Sequence, residues 1–168
     1  MPNGLAEQSL LELTRDLVRI PSRAGFDSCG PVYARVVDWL QARGIATEIL
    51  FDGEVPLAAT ATVGEPRLGP TYLLIATADT AEFGDESVWT FEPLSGQLRD
   101  GWLYGRGSAD SKSGIRFSAT WRRHWLPRRA SCMALSLWSS TQRNTRANYW
   151  ASSMFSDTFQ AVAILPAP

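Results

Sequence analysis

The sequence predicts an α/β fold, in which helices pack on a mostly parallel twisted sheet as in a three-layer αβα sandwich. Two observations carry this prediction: amphipathic helical patterns open the chain, and three short apolar strands follow them. The length of 168 residues and the 45% hydrophobic composition allow one domain with a sizeable core. They exclude a disordered chain, a collagen and a coiled coil as descriptions of the whole chain.

Two amphipathic helices are predicted at the start of the chain. Leucines recur at roughly helical spacing from Leu5 until Pro21 ends the pattern, with acidic residues early in the segment, where the helix dipole favours them. Pro31 suits the first turn of a second helix, and Gly44 ends it. The apolar positions of this second helix are expected to face inward.

Three strands are predicted after the helices. They cover residues 46–51, 57–63 and 71–76, and each is a short apolar or alternating run bounded by turn residues. Helices followed by buried strands are typical of an α/β sandwich, so these runs support the predicted fold class.

Charge divides the chain near residue 115. Residues 1–115 hold 9 basic and 16 acidic side chains, a net charge of −7, whereas residues 116–168 hold seven arginines and a single acid, Asp157, a net charge of +6. The second segment also holds four of the seven tryptophans and contains no Lys and no Glu. We therefore expect two parts, a domain over 1–115 and an aberrant Arg/Trp-rich tail over 116–168.

Signals for membrane insertion and disulfide formation are lacking in the sequence. No run approaches the roughly 18 apolar residues of a membrane span, and the first residues lack the basic and apolar regions of a signal peptide. We therefore expect a cytoplasmic protein with no membrane partner. Cys29 and Cys132 have no metal-ligand spacing and are interpreted as packed thiols.

The candidate site follows the third predicted strand. Asp79 comes just after that strand, at the position where α/β sheets usually bind ligands. A glycine-dense stretch then leads to Asp110 and Lys112, and its glycines allow the backbone to approach another group closely. We interpret Lys112 as a loop lysine. We interpret Trp89 and Trp102 as packing residues rather than as a platform for substrate.

The spacing of these residues resembles a known enzyme family. The resembling positions are Asp79-Thr80, Trp89, Pro93, Gly96, Asp100-Gly101, Tyr104-Gly105-Arg106-Gly107, Asp110, Lys112 and Gly114. This order is similar to the zinc-dependent metallopeptidase and aminoacylase family, which includes acetylornithine deacetylase, succinyl-diaminopimelate desuccinylase and glutamate carboxypeptidase. The resemblance covers about residues 5–115 and then stops, so it implies an incomplete three-layer sandwich. It also implies that the glycines at 105–107 shape the loop carrying Asp110.

The resemblance implies roles for three residues of the candidate site. In the family two zinc ions share a bridging aspartate, which corresponds to Asp110, so Asp110 is the candidate metal ligand. Without the other ligands, we interpret Asp110 as a solvated or hydrogen-bonded carboxylate of the loop. Thr77 occupies the position of the family's histidine ligand, and a threonine hydroxyl is a poor substitute at zinc. Asp79 corresponds to the aspartate that orients this histidine through a hydrogen bond, and it is the candidate catalytic residue.

The remaining family machinery is missing from the chain. The family's glutamate pair, which supplies the general base and a ligand, has no counterpart here, and His124, the only histidine, lies in no family motif. Zinc is thus the cofactor of the family, while the residues of this chain argue against a zinc site.

A shifted reading frame would account for the tail. Back-translation of residues 125–147 into a neighbouring frame permits an apolar run followed by paired glutamates, which resembles the missing family segment. We hypothesise a one-base insertion or deletion near Ile115. The tail would then have no selected fold, although residues 133–138 and 161–165 could form strands on the sheet.

Three functional hypotheses follow. The preferred one is a truncated, inactive relative of metal-dependent hydrolases that cleave N-acyl or peptide bonds beside a free carboxylate, with a small N-acyl amino acid or peptide as substrate. The alternative is a noncatalytic binding module built on the same scaffold. The third, nucleic-acid binding by the tail, has the charge but no recognisable nucleic-acid fold, so we expect no nucleic-acid partner. The sequence carries no signal for an oligomeric state.

Overall fold

The computed structural model describes residues 3–64, 71–115 and 132–139. The α-helices and β-strands of these residues are α1 (Asn3–Arg19), α2 (Gly30–Gln41), β1 (Ala46–Asp52), β2 (Val55–Gly64), β3 (Thr71–Thr77), β4 (Gln97–Arg99), β5 (Trp102–Tyr104) and β6 (Cys132–Trp138). The predicted α/β class is confirmed, and the predicted helices and strands lie close to the observed bounds. No helix of the described ranges is long and apolar enough to cross a membrane.

Four strands form one sheet in the order β1-β2-β6-β3. β1 pairs antiparallel with β2, β2 pairs antiparallel with β6, and β6 pairs parallel with β3. The expected parallel character is therefore only partly confirmed for the described strands. The reason lies in the connection between β1 and β2: only Gly53 and Glu54 join them, and so short a turn can link only antiparallel neighbours.

The helices α1 and α2 pack against each other, and α2 packs on β1 and β2. In α2, Val32, Val36 and Leu40 recur every four residues and are buried, as expected for the inner face of an amphipathic helix. On β2, Ala59 and Ala61 point into the same core. Full burial of one large apolar side chain stabilises the fold by about 1.5–3 kcal/mol, so this cluster supplies much of its stability.

The strand β6 comes from the Arg/Trp-rich tail and lies inside the sheet. Its register places Leu137 beside Ala59 of β2 and Ala76 of β3, and the Leu137 side chain is completely buried in the core. The predicted strand at 133–138 is therefore confirmed. The predicted strand at 161–165 lies outside the described residues.

A small hairpin lies in the chain between β3 and Asp110. β4 and β5 pair antiparallel, and the two residues between them, Asp100 and Gly101, have φ values of 53° and 81°. Two consecutive positive φ values are required in a type I′ turn, which explains why an Asp-Gly pair stands here.

Arg23 braces the loop between α1 and α2. Its Nε donates to Asp27 Oδ2 over 2.8 Å, and its Nη2 donates to Asp27 Oδ1 over 3.1 Å. These hydrogen bonds lower the pKa of the Asp27 carboxyl below its usual value. The Arg23 guanidinium also lies 4.8 Å from the centroid of the Phe83 ring, so it connects this loop to the chain that follows β3.

We expect the variant Leu137→Ala to lower the free energy of unfolding by about 2–5 kcal/mol, because it opens a cavity in the core shared by β2, β3 and β6. Urea unfolding measures the change. Leu98→Ala is the matched control, since Leu98 is 43% exposed on β4, and it should cost no more than about 0.5 kcal/mol. Equal costs for the two variants would contradict the placement of β6 in the core.

The Arg23–Asp27 pair predicts a pH dependence of stability. Because the folded-state pKa of Asp27 lies below its unfolded value of 3.8, the pair stabilises the fold above about pH 4 and loses this effect as the pH falls through the folded-state pKa. Asp27→Asn should therefore lower the Tm near pH 7 and flatten its decline below about pH 4. Arg23→Met removes the same ion pair by deleting its cation. A wild-type Tm profile in either variant would contradict the assignment.

Candidate functional site at the carboxyl end of the sheet

Asp79 and Ser139 meet at the edge where the two parallel strands end. Thr77, the last residue of β3, pairs with Trp138, the last residue of β6, so the residues that follow the two strands are neighbours. The Ser139 hydroxyl donates to Asp79 Oδ2 over 3.1 Å, and each side chain is only 5% exposed. This hydrogen bond offsets part of the cost of burying the carboxylate.

The chain after Asp79 is tied to the segment that follows α1. The Thr80 N–H donates to the Ser22 carbonyl over 2.8 Å, and the Thr80 carbonyl accepts from the Ala24 N–H over 2.9 Å. These two bonds form a short parallel bridge that directs the chain as it leaves β3. The backbone directly after Asp79 is therefore fixed by two hydrogen bonds, one through the N–H and one through the carbonyl of Thr80.

Asp110 is exposed, and the residue after it is anchored to the end of β3. Ser111 Oγ lies 2.7 Å from the Thr77 carbonyl oxygen and 2.9 Å from the Asp79 carbonyl oxygen, so its hydroxyl donates to this pair of acceptors. The peptide bond between Asp110 and Ser111 is cis. The structure thus brings the backbone at Asp110 to the edge where Asp79 lies, and leaves the Asp110 side chain in contact with solvent.

Two glycines let the loop that carries Asp110 approach its neighbours closely. Gly105 has a φ of 141°, and a Cβ there would overlap Val18 Cγ1 of α1. Gly107 has a φ of 84°, and a Cβ there would lie 2.8 Å from Thr80 Cγ2. Side chains are excluded at both positions by contact as well as by conformation, so these glycines shape the loop, as the resemblance implies.

Lys112 is buried, with only 1% of its surface exposed. Its Nζ donates to the carbonyl oxygens of Leu17 and Ile20, each over 2.6 Å. Burial lowers the pKa of the ammonium to about 8, while the carboxylate of Asp27 acts in the opposite direction. The interpretation as an ordinary loop lysine missed this role. One signal was available in the sequence, since Lys112 is the only lysine in the chain.

The sequence predicts packing roles for Cys29, Trp89 and Trp102. The Cys29 thiol is buried, and burial raises its pKa, so it stays protonated at neutral pH, as expected of a packed thiol. The Trp89 indole N–H donates to the Phe83 carbonyl over 2.8 Å, in agreement with a packing role. Trp102 is 71% exposed, so the packing interpretation is wrong there. Cys132 lies outside the described side chains.

The donor set at this edge does not fit a dinuclear metal centre. The resemblance places a histidine at the position of Thr77, and Asp79 is buried against Ser139. In the part of the chain that the structure describes, no three His, Cys, Asp or Glu side chains converge on one point. Beyond residue 115 the sequence adds only three residues of these types, namely His124, Cys132 and Asp157. Zinc and related centres need several convergent ligands, which the described residues of this edge do not supply.

Several curated proteins of related sequence are named succinyl-diaminopimelate desuccinylase. The succinyl-diaminopimelate desuccinylase of Nitrobacter hamburgensis is 36% identical over 122 residues, which cover 65% of this chain and 28% of the relative. The enzyme of the same name from Xanthomonas euvesicatoria is 38% identical over 107 residues, covering 63% of this chain and 27% of the relative. The chain thus spans little more than a quarter of the length of these relatives. No profile of a known protein family matches the chain.

Solved structures share the fold. A metallo-carboxypeptidase of the M20 family from Sulfolobus solfataricus superposes with a TM-score of 0.66 at 16% identity, covering 96% of this chain and 36% of that one. A dinuclear metal-binding M20 peptidase from Bacillus subtilis gives a TM-score of 0.61 at 17% identity, covering 95% and 42%. At such identities the likeness concerns the fold alone. The chain is therefore similar in sequence to part of the desuccinylases, which match about 63% of its length, and it shares the fold of M20 metallopeptidases.

Proposed function

We propose that this chain carries the first part of a metal-dependent hydrolase fold and does not hydrolyse substrate by itself. The hydrogen bond from Ser139 to Asp79 carries this proposal. In the family that the sequence resembles, the aspartate at this position holds a metal-binding histidine. Here the histidine position is Thr77, and the carboxylate is engaged by a serine of the tail, so no hydrolytic step is assigned to the residues of this edge.

The substrate class of a complete form is inferred from the relatives. They are named succinyl-diaminopimelate desuccinylases, enzymes that act on an N-acyl amino acid. We extend this class to a full-length form of the protein, with an N-acyl amino acid or peptide carrying a free carboxylate as substrate. In that form Asp110 would be the metal-bridging carboxylate, and zinc is the metal we expect. A cytoplasmic location without nucleic-acid or membrane partners is part of the same proposal.

The origin of the tail is a separate part of the proposal. We propose that residues 116–168 are read from a shifted frame, and the placement of β6 is compatible with this origin. The neighbouring frame also permits an apolar run at this point of the chain, so either frame supplies a strand that can enter an apolar sheet. Sequencing the DNA across the codons from Ser108 to Trp150 tests the idea. A neighbouring frame that does not continue into the glutamate pair would refute it.

A noncatalytic binding module is the second candidate, and the pairing of β6 favours it. A tail segment that contributes a buried strand between β2 and β3 completes the sheet of the scaffold. The two candidates differ in one measurement, the Tm in the presence of N-succinyl amino acids and EDTA. A saturable rise in Tm supports the binding module, since a ligand that binds the native state stabilises it. An unchanged Tm supports the inactive hydrolase part.

We expect Thr77→His to show no hydrolysis of N-succinyl-diaminopimelate above the buffer rate when zinc or cobalt is supplied. The general base is still missing, and Asp79 is still engaged by Ser139. The double variant Thr77→His/Ser139→Ala also removes the Ser139 hydrogen bond to the carboxylate and should be equally inactive. A complete desuccinylase from Xanthomonas euvesicatoria is the positive control in the same assay. Turnover by either variant would refute the proposal.

A further inference from the structure

We propose that Lys112 is a positioning residue whose ammonium clamps the Asp110 loop onto the carboxyl end of α1 and thereby determines where Asp110 stands. The inference goes beyond the proposed function, because the clamp requires neither a metal nor turnover. The test of the clamp can therefore fail while the proposed function holds. Equally, the proposed function can fail while the clamp is confirmed.

The end of α1 presents acceptors that need a partner. The last carbonyl groups of a helix have no N–H partner within the helix, and the helix dipole concentrates negative partial charge there. At this end the Leu17 carbonyl accepts one N–H, from Ile20 over 3.2 Å. The Lys112 ammonium brings up to three donors to the carbonyls of Leu17 and Ile20, so a side chain from a distant loop caps the helix.

The path of the lysine side chain explains a glycine in the same loop. A Cβ at Gly107 would lie 3.0 Å from Lys112 Cδ and 3.3 Å from Cγ, so the lysine stem passes directly over this glycine. The Lys112 N–H also donates to the Gly107 carbonyl over 3.0 Å. Gly107 and Lys112 are therefore packed together, and the absence of a side chain at Gly107 makes room for the lysine stem that reaches α1.

Two consecutive residues after Asp110 are anchored to different elements. Ser111 is bonded to carbonyl oxygens at the end of β3, and Lys112 is bonded to carbonyl oxygens at the end of α1. Asp110 is itself exposed, so its place depends on these two neighbours. The charged or titratable groups that act on the ammonium are the Asp27 carboxyl and the Cys29 thiol.

The single lysine makes the clamp directly observable. In protein labelled with [15Nζ]lysine, we expect one slowly exchanging ammonium signal at neutral pH, because Lys112 is enclosed and is the only lysine. An ammonium signal that exchanges as fast as a free amine would overturn the proposal. This measurement uses the wild-type chain and does not depend on any variant folding.

Amide hydrogen exchange distinguishes a local positioning role of Lys112 from an effect on the stability of the whole fold. In Lys112→Met we expect exchange at residues 107–115 to accelerate about tenfold or more, and the Asp110 amide shift to move, while α2 changes far less. Arg19→Met is the matched control, since Arg19 donates from the last residue of α1 to the Ser95 carbonyl at an exposed position. Parallel acceleration of α2 and the loop, or equal effects of the two variants, would overturn the positioning role.

Discussion

The parallel pairing of β3 with β6 is the constraint on which the rest of the structure depends. β6 lies between β2 and β3, so it joins the hairpin of β1 and β2 to the strand that leads into the site. It supplies Leu137 to the core, and it ends beside β3, where Ser139 reaches the buried Asp79. One apolar run in an otherwise arginine-rich segment thus completes the sheet and provides a hydrogen-bond donor for its buried carboxylate.

The carboxyl edge of this sheet is held by polar contacts that satisfy backbone and side-chain acceptors. Ser139 donates to the Asp79 carboxylate, Ser111 donates to two carbonyls at the end of β3, and Lys112 donates to two carbonyls at the end of α1. Buried polar groups without partners are costly, so these bonds stabilise the fold at this edge. Asp110, at the same edge, is left exposed. The edge is therefore organised for stability, and one carboxylate is presented to solvent.

Local patterns predicted the elements, whereas the contacts of the site depended on distant partners. Helical spacing and short apolar runs predicted α1, α2 and the strands of the four-stranded sheet, because periodicity is a property of neighbouring residues. The short strands β4 and β5 were not predicted. The antiparallel share of the sheet follows from the two-residue turn after β1. Lys112 bonds to a carbonyl 95 positions away, and Ser139 bonds to Asp79 60 positions away. Pairings of this kind follow from the folded topology and could not be predicted from spacing in the chain.

The most direct test of this account is a calorimetric titration of the purified chain with zinc, because the central claim is that its carboxyl edge stabilises the fold and does not form a metal centre. The account predicts heats no larger than those of dilution, with no rise in Tm as zinc is added. Stoichiometric binding of one or more zinc ions, abolished by Asp110→Asn, would contradict it.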